Sequence, residues 1–322
     1  MENYHDLLAL SQEISVVDVS LAFAMLSEKY KYVRPEIIED ASVFDIQKAR
    51  HPVVEATLKE KFHANDCTQN SDTSFLLLTG PNMAGKSTYL RQNALVVLMA
   101  QIGCFVPAEK ARFGIVDRLF SRVGASDDIT QGQSTFMVEM IETATILQQA
   151  TPKSFVILDE IGRGTATYDG VSIAWAVTEY LHLKKCRTIF ATHYHELNDL
   201  ENQLKGFTCL TMKIKEWEDK IIFLHEVVHG AANQSFGIHV AQLAGLPTPV
   251  LVRAEEILQQ FQVEEIKKPK IRATQKTALF QEAKVVSKPS AVEQLLKEQN
   301  LDRLSPKQAL DLLYAMQEKM GK

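Results

Sequence analysis

Apolar positions change their spacing along this chain, and the changes predict where its helices and strands lie. The first apolar residues recur at alternating steps of four and three: Leu10, Ile14, Val17, Leu21 and Ala24. This stripe predicts a helix over residues 1–33 that Arg34-Pro35 ends. A helix packed on its own core has such a stripe, and so does a helix that packs against a neighbouring long helix.

Between residues 42 and 199, short apolar runs alternate with helical patterns. The β-rich runs are Phe75–Thr79, Phe155–Leu158 and Thr188–Ala191. The helical patterns are Lys86–Ile102, closed by Gly103, and Val171–Leu183. Fully apolar strands that alternate with helices predict an α/β fold with a mostly parallel central sheet, covered on both faces.

A β-meander and a pair of helices follow this region. Residues 212–228 read as strands around a turn near Glu218-Asp219. Phe236–Ala244 predicts one helix, and Thr248-Pro249 opens a second. The pair suggests a helix-turn-helix, but Glu255 and Glu256 disfavour a groove-reading role because such a helix faces phosphates. Packing or dimerisation is the expected role.

The end of the chain predicts a linker and a small helical tail. Residues 266–288 hold seven Lys/Arg against one Glu, which is typical of a solvated spacer. Ser305-Pro306 then opens a helix. Leu310, Leu313 and Tyr314 give that helix an apolar face, which suggests docking or oligomerisation.

Composition narrows the classes of function. The net charge of −5 over 322 residues argues against a surface that binds nucleic acid throughout. Four cysteines without a C-x-x-C motif fit reduced thiols in the cytoplasm. The N-terminus lacks the basic region of a signal peptide, and the longest apolar run, Leu95–Val106, is too short to cross a membrane. No membrane partner is expected.

A phosphate-binding loop follows the first apolar strand. The G-x-x-x-x-G-K-[ST] pattern begins at Gly80 and lies between a strand and a helix, as a P-loop does. Its backbone amides and the helix N-terminus are expected to bind phosphate, while Lys86 reaches the outer phosphates and Ser87 ligates Mg²⁺. The expected cofactor-binding residues are Gly80, Pro81, Asn82, Met83, Ala84, Gly85, Lys86, Ser87 and Thr88.

Two acids end the strand Phe155–Leu158 and provide the carboxylates that the loop needs. Asp159 is expected near Mg²⁺, and Glu160 is expected to polarise the attacking water as general base. His193 ends the next strand, at the same edge of a parallel sheet, and is expected to contact the γ-phosphate or that water. His195 forms an H-x-H with His193, but no third metal ligand lies nearby in sequence, so a metal pair is disfavoured.

A second anion site is suggested by Gly132-Gln133-Ser134, which precedes an amphipathic helix. The apolar face of this helix carries Met137, Met140, Ile141, Ala144 and Leu147. One P-loop needs only one nucleotide, so Ser134 either closes on the γ-phosphate held by a second subunit or serves as an ordinary N-cap. The motif alone leaves both roles open.

Four runs in this order resemble the MutS family of DNA mismatch-repair ATPases, above all its bacterial branch: TGPNMAGKSTYLRQ, GASDDITQGQSTFMVEM, ILDEIGRGTATYDG and FATHYHEL. The resemblance extends from about Asn3 to Phe261 and through the tail. Asn82-Met83 inside the P-loop and the Ser-Thr-Phe-Met run distinguish this family from transporter ATPases. Ala166 and Tyr168 depart slightly from the commonest family form.

The resemblance implies an ABC-type P-loop ATPase that works as a homodimer with composite sites for ATP and Mg²⁺. It implies the roles given above for Lys86, Ser87, Asp159, Glu160 and His193. It makes Ser134 the signature residue that acts across the interface, and it adds Asn82 as a nucleotide contact. It also implies that Phe62 and His225 stack on adenine.

The resemblance also divides the chain. Residues 1–40 resemble the end of a lever helix region and residues 41–230 the ATPase domain. Residues 231–263 resemble a helix-turn-helix dimerisation element, 264–290 a basic linker and 291–322 a helical oligomerisation tail. The family's mismatch-reading, connector and clamp regions are expected to be absent. Mismatched double-stranded DNA would be bound through those regions, and other mismatch-repair proteins are expected partners.

Two functions of different classes remain at this point. The first is an Mg²⁺-dependent ATPase whose dimerisation drives a DNA clamp. The second is a dimerisation module that binds nucleotide and barely turns it over without the missing domains.

Overall fold

The computed structural model describes residues 4–124, 134–217, 220–231, 237–265 and 306–319. The chain forms two compact units, Met1–Thr274 and Gln275–Lys322. The helices are α1 (Tyr4–Tyr30), α2 (Pro52–Thr57), α3 (Lys86–Gln101), α4 (Thr135–Gln149), α5 (Thr167–Leu183), α6 (Gly237–Leu243), α7 (Thr248–Glu265) and α8 (Pro306–Lys319). The strands are β1 (Glu36–Ile38), β2 (Phe44–Ala49), β3 (Asn65–Gln69), β4 (Phe75–Thr79), β5 (Lys110–Gly114), β6 (Leu119–Arg122), β7 (Phe155–Asp159), β8 (Arg187–Ala191), β9 (Phe207–Trp217) and β10 (Lys220–His229).

A six-stranded sheet forms the centre of the first unit, in the order β10-β9-β4-β8-β7-β6. All neighbouring strands are parallel except β9 and β10, which are antiparallel. The three apolar runs predicted as strands lie in β4, β8 and β7, which are adjacent in the sheet. The predicted α/β fold with a mostly parallel sheet is confirmed.

Both faces of this sheet are buried, as the continuous apolar runs predict. Alternate residues of β4 enter different apolar clusters: Leu76 and Leu78 join α3 on one face, and Phe75 and Leu77 join α5 on the other. Successive side chains of a strand point to opposite faces, so one short run contributes to two cores.

A second sheet of four strands, in the order β1-β5-β2-β3, has no counterpart in the predictions from sequence. Its strands carry polar residues throughout, as in FDIQKA, NDCTQ and KARFG. Their pattern therefore lacks the apolar run that marked the buried strands. Phe44 of β2 stacks on Phe155 of β7 with ring centroids 4.8 Å apart, which joins the two sheets.

The predicted meander is a hairpin at the edge of the central sheet. β9 and β10 pair in an antiparallel register from Lys220↔Trp217 to His229↔Leu210. β9 also pairs in parallel with β4, from Phe75↔Phe207 to Thr79↔Thr211. The hairpin thus begins earlier than predicted and extends the main sheet, and the predicted turn at Glu218-Asp219 lies outside the described residues.

Helix α1 ends at Tyr30, before Arg34-Pro35, and no residue of it is buried. The residues of its stripe are 56–66% exposed at Leu10, Ile14, Val17 and Leu21, so packing on its own core is the wrong interpretation. By length and mean hydropathy alone, α1 would also suffice to cross a membrane. Length and mean hydropathy are weak evidence for a membrane span, because a long helix that packs against another helix can have the same values.

Helices are found where the C-terminal patterns predict them. α6 and α7 are joined by a turn in which Gly245 has a φ of +85° and donates its N–H to Gln242 O at 3.0 Å. In the second unit, α8 exposes Leu310, Leu313 and Tyr314, the apolar face expected of the tail. Residues 266–288 and the expected cap Ser305 lie outside the described part of the chain.

Candidate active site

The carboxyl ends of β4, β7 and β8 meet at one edge of the central sheet. The register places Ala191 of β8 opposite both Leu78 of β4 and Asp159 of β7. Because the P-loop follows β4 and His193 follows β8, this register brings the predicted loop, acids and histidine to one edge. The loop, the acids and the histidine converge because of the order of the strands in the sheet, which the sequence pattern does not give directly.

The P-loop has the backbone expected of a phosphate cradle. Gly80 and Gly85 have φ values of +132° and +105°, and α3 begins directly after Gly85. The Lys86 ammonium is 5% exposed and donates to Gly80 O at 2.7 Å and to Pro81 O at 2.9 Å. Burial lowers the pKa of Lys86 to about 8, against the opposing effect of the Glu160 and Asp159 carboxylates. A phosphate would compensate for that burial.

Asp159 and Ser87 provide oxygens suited to a hard cation. Burial raises the pKa of Asp159, which a hydrogen bond with Ser87 partly offsets. Oδ1 of Asp159 is buried and has no hydrogen-bond partner within the described part of the chain. A buried carboxylate oxygen without a partner is costly, and Mg²⁺ prefers oxygen ligands of this kind. These residues therefore fit the predicted metal.

Glu160 lies between the side chains of His193 and Arg163. Its Oε1 is 2.5 Å from His193 Nε2, and its Oε2 accepts a hydrogen bond from Arg163. The hydrogen bond with His193, reinforced by the one from Arg163, lowers the pKa of Glu160 to about 2, against the effect of partial burial. Sequence reasoning paired Glu160 and His193 by role but missed Arg163, whose only signal was its place three residues after Glu160.

Two cavities border these carboxylates. The larger, of about 390 Å³, is lined by Ser87, Asp159 and Glu160 and by the cations Arg91, Arg122 and Arg163. The smaller, of about 290 Å³, is lined by Asn82, Glu160, Arg163, Thr192, His193 and Tyr194. Asn82 therefore shares a cavity with Glu160 and His193, as its predicted nucleotide contact requires.

Ser134 caps α4 in the described structure, with its hydroxyl accepting from Met137 N at 3.2 Å. The buried face of α4 carries Glu139, Thr143 and Ile146. The apolar residues Met137 and Ile141 are 51% and 45% exposed instead. The Gly132-Gln133 part of the predicted anion site lies outside the described residues.

A third cavity, of about 300 Å³, lies on the other side of the P-loop. Phe62 and His225 both line it, although 163 positions separate them in the sequence, together with Met83, Gly85 and Thr88 of the loop region. Apolar walls beside a phosphate cradle suit a purine ring. The residues implied for adenine stacking thus lie in one cavity.

Asn65 holds His225 in this cavity, and sequence reasoning missed it. The register of β10 shifts between Phe223 and Val227, and His225 takes a φ of +54°. The Asn65 amide donates to His225 O and accepts from Val227 N, both at 2.8 Å. Its side chain thereby replaces the strand bonds that the bulge lacks. The His225 Nδ1 lies 2.9 Å from Ala84 O, to which it donates.

Within the described ranges, the H-x-H pair of His193 and His195 gains no third ligand. Among the residues that the structure describes, no cluster of three or more His, Cys, Asp or Glu could hold a metal ion. All four cysteines are buried and free.

Comparisons with known proteins show the family of this chain. The family model for MutS domain V matches residues 76–262, and that for the DNA mismatch repair protein MutS C-terminal region matches residues 284–319. The DNA mismatch repair protein MutS of Rhizobium meliloti (strain 1021) is 50% identical over 330 aligned residues, which are 97% of this chain and 36% of that protein. The chain thus spans about a third of its relative. It belongs to the MutS family of DNA mismatch repair proteins and contains the P-loop ATPase domain of that family.

Proposed function

We propose that this chain is the Mg²⁺-dependent ATPase module of a DNA mismatch-repair protein, and that its dimerisation completes two ATP sites and drives a DNA clamp. The observation that carries the proposal is the meeting of the P-loop, Asp159-Glu160 and His193 at one edge of the central sheet.

ATP binding uses both sides of the P-loop. Phe62 and His225 stack on the adenine in the cavity that they share. The loop amides and Lys86 hold the phosphates, and Asn82 contacts the nucleotide from the cavity that it shares with Glu160. The lowered pKa of Lys86 fits this role, because a phosphate restores the stability of its buried charge.

Ser87 and Asp159 would hold Mg²⁺. When bound, the ion neutralises charge that develops on the β- and γ-phosphates. The buried Oδ1 of Asp159, which has no partner among the described residues, supports this assignment.

Hydrolysis needs Glu160 to accept a proton from the attacking water. Its bonds to His193 and Arg163 keep its pKa low and make it a weak base in the described arrangement. A γ-phosphate would offer the same two side chains another acceptor. We expect nucleotide binding to draw Arg163 and His193 from the carboxylate, which leaves Glu160 free to act on water.

Dimerisation would bring Ser134 to the nucleotide of a second subunit. Ser134, Met137 and Ile141 recur at helical spacing on one side of α4, and the two apolar residues are exposed. We assign α6 and α7 to a helix-turn-helix dimerisation element because Leu246, Val250 and Val252 leave apolar surface beside their turn. The exposed face of α8 supports a further oligomerisation role for the tail.

Mismatched double-stranded DNA and other mismatch-repair proteins are the proposed partners of the longer protein, and the cytoplasm is its proposed location. The exposed stripe of α1 supports its assignment to a lever helix that carries the motion of the ATPase dimer to the clamp.

Glu160→Gln tests the proposal. The variant should bind ATP with an affinity within about twofold of wild type and lose at least about a hundredfold in kcat, because the amide cannot accept the proton. Filter binding with labelled ATP and steady-state phosphate release measure the two quantities. Full turnover in this variant would exclude Glu160 as the base.

The second candidate is a dimerisation module that binds nucleotide with little turnover. The engagement of Glu160 by His193 and Arg163 favours it, since these contacts lower the pKa of Glu160 and make it a weak base. ATP turnover per chain, measured as protein concentration rises, separates the two. A rate that climbs and saturates supports the composite ATPase, whereas tight ATP binding without turnover at any concentration supports the second candidate.

A further inference from the structure

A buried carboxylate on α4, Glu139, lines the larger cavity beside Asp159 and Glu160, but none of the roles proposed above uses it. Glu139 is 6% exposed and shares the inner face of α4 with Thr143 and Ile146. An acid in such a position is costly unless its oxygens are bonded. Its partners therefore indicate what it does.

Glu139 bonds the loop that follows the catalytic acids. Its Oε1 accepts the Gly162 N–H at 2.5 Å, and Gly162 comes two residues after Glu160. Its Oε2 lies 3.7 Å from Nη2 of Arg122, which is also buried and ends β6. One carboxylate thus ties α4 to the Glu160 loop and to the sheet edge.

Gly162 is held from its other side by the loop that carries His193. The Gly162 carbonyl accepts from the Tyr194 hydroxyl at 2.8 Å, and Tyr194 directly follows His193. Gly162 has a φ of +88°, and a Cβ there would lie 2.6 Å from Gly170 O. Gly162 therefore has little room to shift unless its bonded neighbours shift with it.

These contacts connect three parts of the proposed catalytic machinery. We propose that Glu139 is a positioning residue that couples Glu160 to Ser134 through the Gly162 amide. A displacement of the Glu160 loop on nucleotide binding would be transmitted to α4, where Ser134 is the N-cap. The Glu160 loop also approaches α4 at a second point. A Cβ on Gly164 would lie only 3.0 Å from Phe136 Cβ in the first turn of α4.

The consequence concerns two ATP sites and rests on the proposed composite dimer. Glu160 acts at the site of its own chain, while Ser134 serves the site of a second copy. Through Glu139, nucleotide binding at one site would then change the position of the Ser134 that completes the other site.

Glu139→Ala tests the coupling, with Glu142→Gln as its matched control. Glu142 lies on the same helix and pairs with the same Arg122 at 2.9 Å, but makes no bond to Gly162. Glu139→Ala should lower kcat about tenfold while the Kd for ADP stays within about twofold, since the P-loop and adenine cavity are untouched. Glu142→Gln should match wild type in both, and Glu139→Gln, which keeps an acceptor oxygen, should recover much of the loss.

Tyr194→Phe probes the same link from the other side and removes only a hydroxyl. It should lower kcat with unchanged ADP affinity, even if Glu139→Ala does not fold. Unchanged kcat in Tyr194→Phe would overturn the proposal, and so would unchanged kcat in a folded Glu139→Ala. So would losses of kcat that follow only a lowered Tm and a smaller fraction of folded protein.

A double-variant cycle with Ser134→Ala separates this inference from the composite site on which it rests. If Glu139 acts through Ser134, adding Glu139→Ala to Ser134→Ala should lower kcat by less than about twofold more. Independent, multiplicative losses would overturn the coupling. Wild-type turnover in Ser134→Ala would refute the composite site itself, a failure that does not depend on any Glu139 variant.

Discussion

Single residues set the geometry of the proposed nucleotide pocket. A Cβ on Gly85 would lie 3.3 Å from His225 Nδ1, so the glycine serves both the loop conformation and the close approach of the imidazole. His225 reaches this place because Asn65 bonds the bulge in β10. The proposed adenine cavity is therefore built by contacts between residues far apart in the chain.

Phe62→Ala should weaken ATP binding about tenfold, because loss of base stacking costs roughly 1–3 kcal/mol. Binding of inorganic tripolyphosphate should stay within about twofold, since that ligand has no base. Isothermal titration of both ligands measures the difference. Lys86→Ala is the matched comparison and should weaken both ligands. An equal loss for both ligands in Phe62→Ala would show that the residue supports the P-loop rather than the base.

Among the elements, the short helix α2 links the fold to the nucleotide cavity. Val54 and Leu58 line the cavity, and His51 caps the helix by accepting Val54 N–H on Nδ1 at 3.3 Å. Burial, with the nearby charge of Arg91, lowers the pKa of His51. Both the cap and the burial therefore need the neutral imidazole.

This arrangement predicts a pH dependence of stability. Because the pKa of His51 is lower in the folded state, the unfolded chain binds the proton more readily, and the free energy of unfolding falls as pH drops through 6.5. His51→Asn keeps a capping oxygen and removes the titration. At about pH 8 the two proteins should differ by less than about 1 kcal/mol.

Urea unfolding of both proteins at about pH 8 and about pH 5.5 measures the effect. Wild type should lose more stability than His51→Asn over this interval. Equal losses would mean that His51 keeps an ordinary pKa in the folded protein.

Across the whole molecule, apolar surface is exposed on α1, α4, α7 and α8. Met137 and Ile141 are exposed and recur at helical spacing on the same side of α4 as Ser134. Contiguous exposed apolar residues of this kind favour a protein interface. We therefore assign the α4 surface to the nucleotide-dependent contact of the proposed dimer.

Ile141→Glu should abolish ATP-dependent dimerisation, because a charge would be buried without a partner. The unfolding free energy should change by less than about 0.5 kcal/mol, since the residue is exposed. Sedimentation velocity with and without ATP measures the association. Gln148→Glu is the control, as it adds the same charge to the same helix about 21 Å from Ser134 at 1.5 Å per residue. ATP-dependent dimers in Ile141→Glu would exclude this face as the interface.

Patterns among residues close together in the sequence predicted much of the fold and of the candidate site. β4, β7 and β8 follow from apolar runs, and the P-loop and Asp159-Glu160 follow directly after two of these strands. The four-stranded sheet could not be predicted in this way, because its strands carry many polar residues and are only partly buried. The roles of Arg163 and Asn65 could not be predicted either, because they depend on which atoms the fold brings near these side chains.

The sequence by itself determined the buried strands, the glycines of the loop and the family to which the chain belongs. Each of these depends on residues close together in the chain, where burial and backbone freedom leave a local signature. The tertiary structure alone decided that Phe62 and His225 share a cavity, that Arg163 and His193 hold Glu160, and that Glu139 bonds Gly162. Such contacts depend on strand order and register, which join distant residues and which no local pattern encodes.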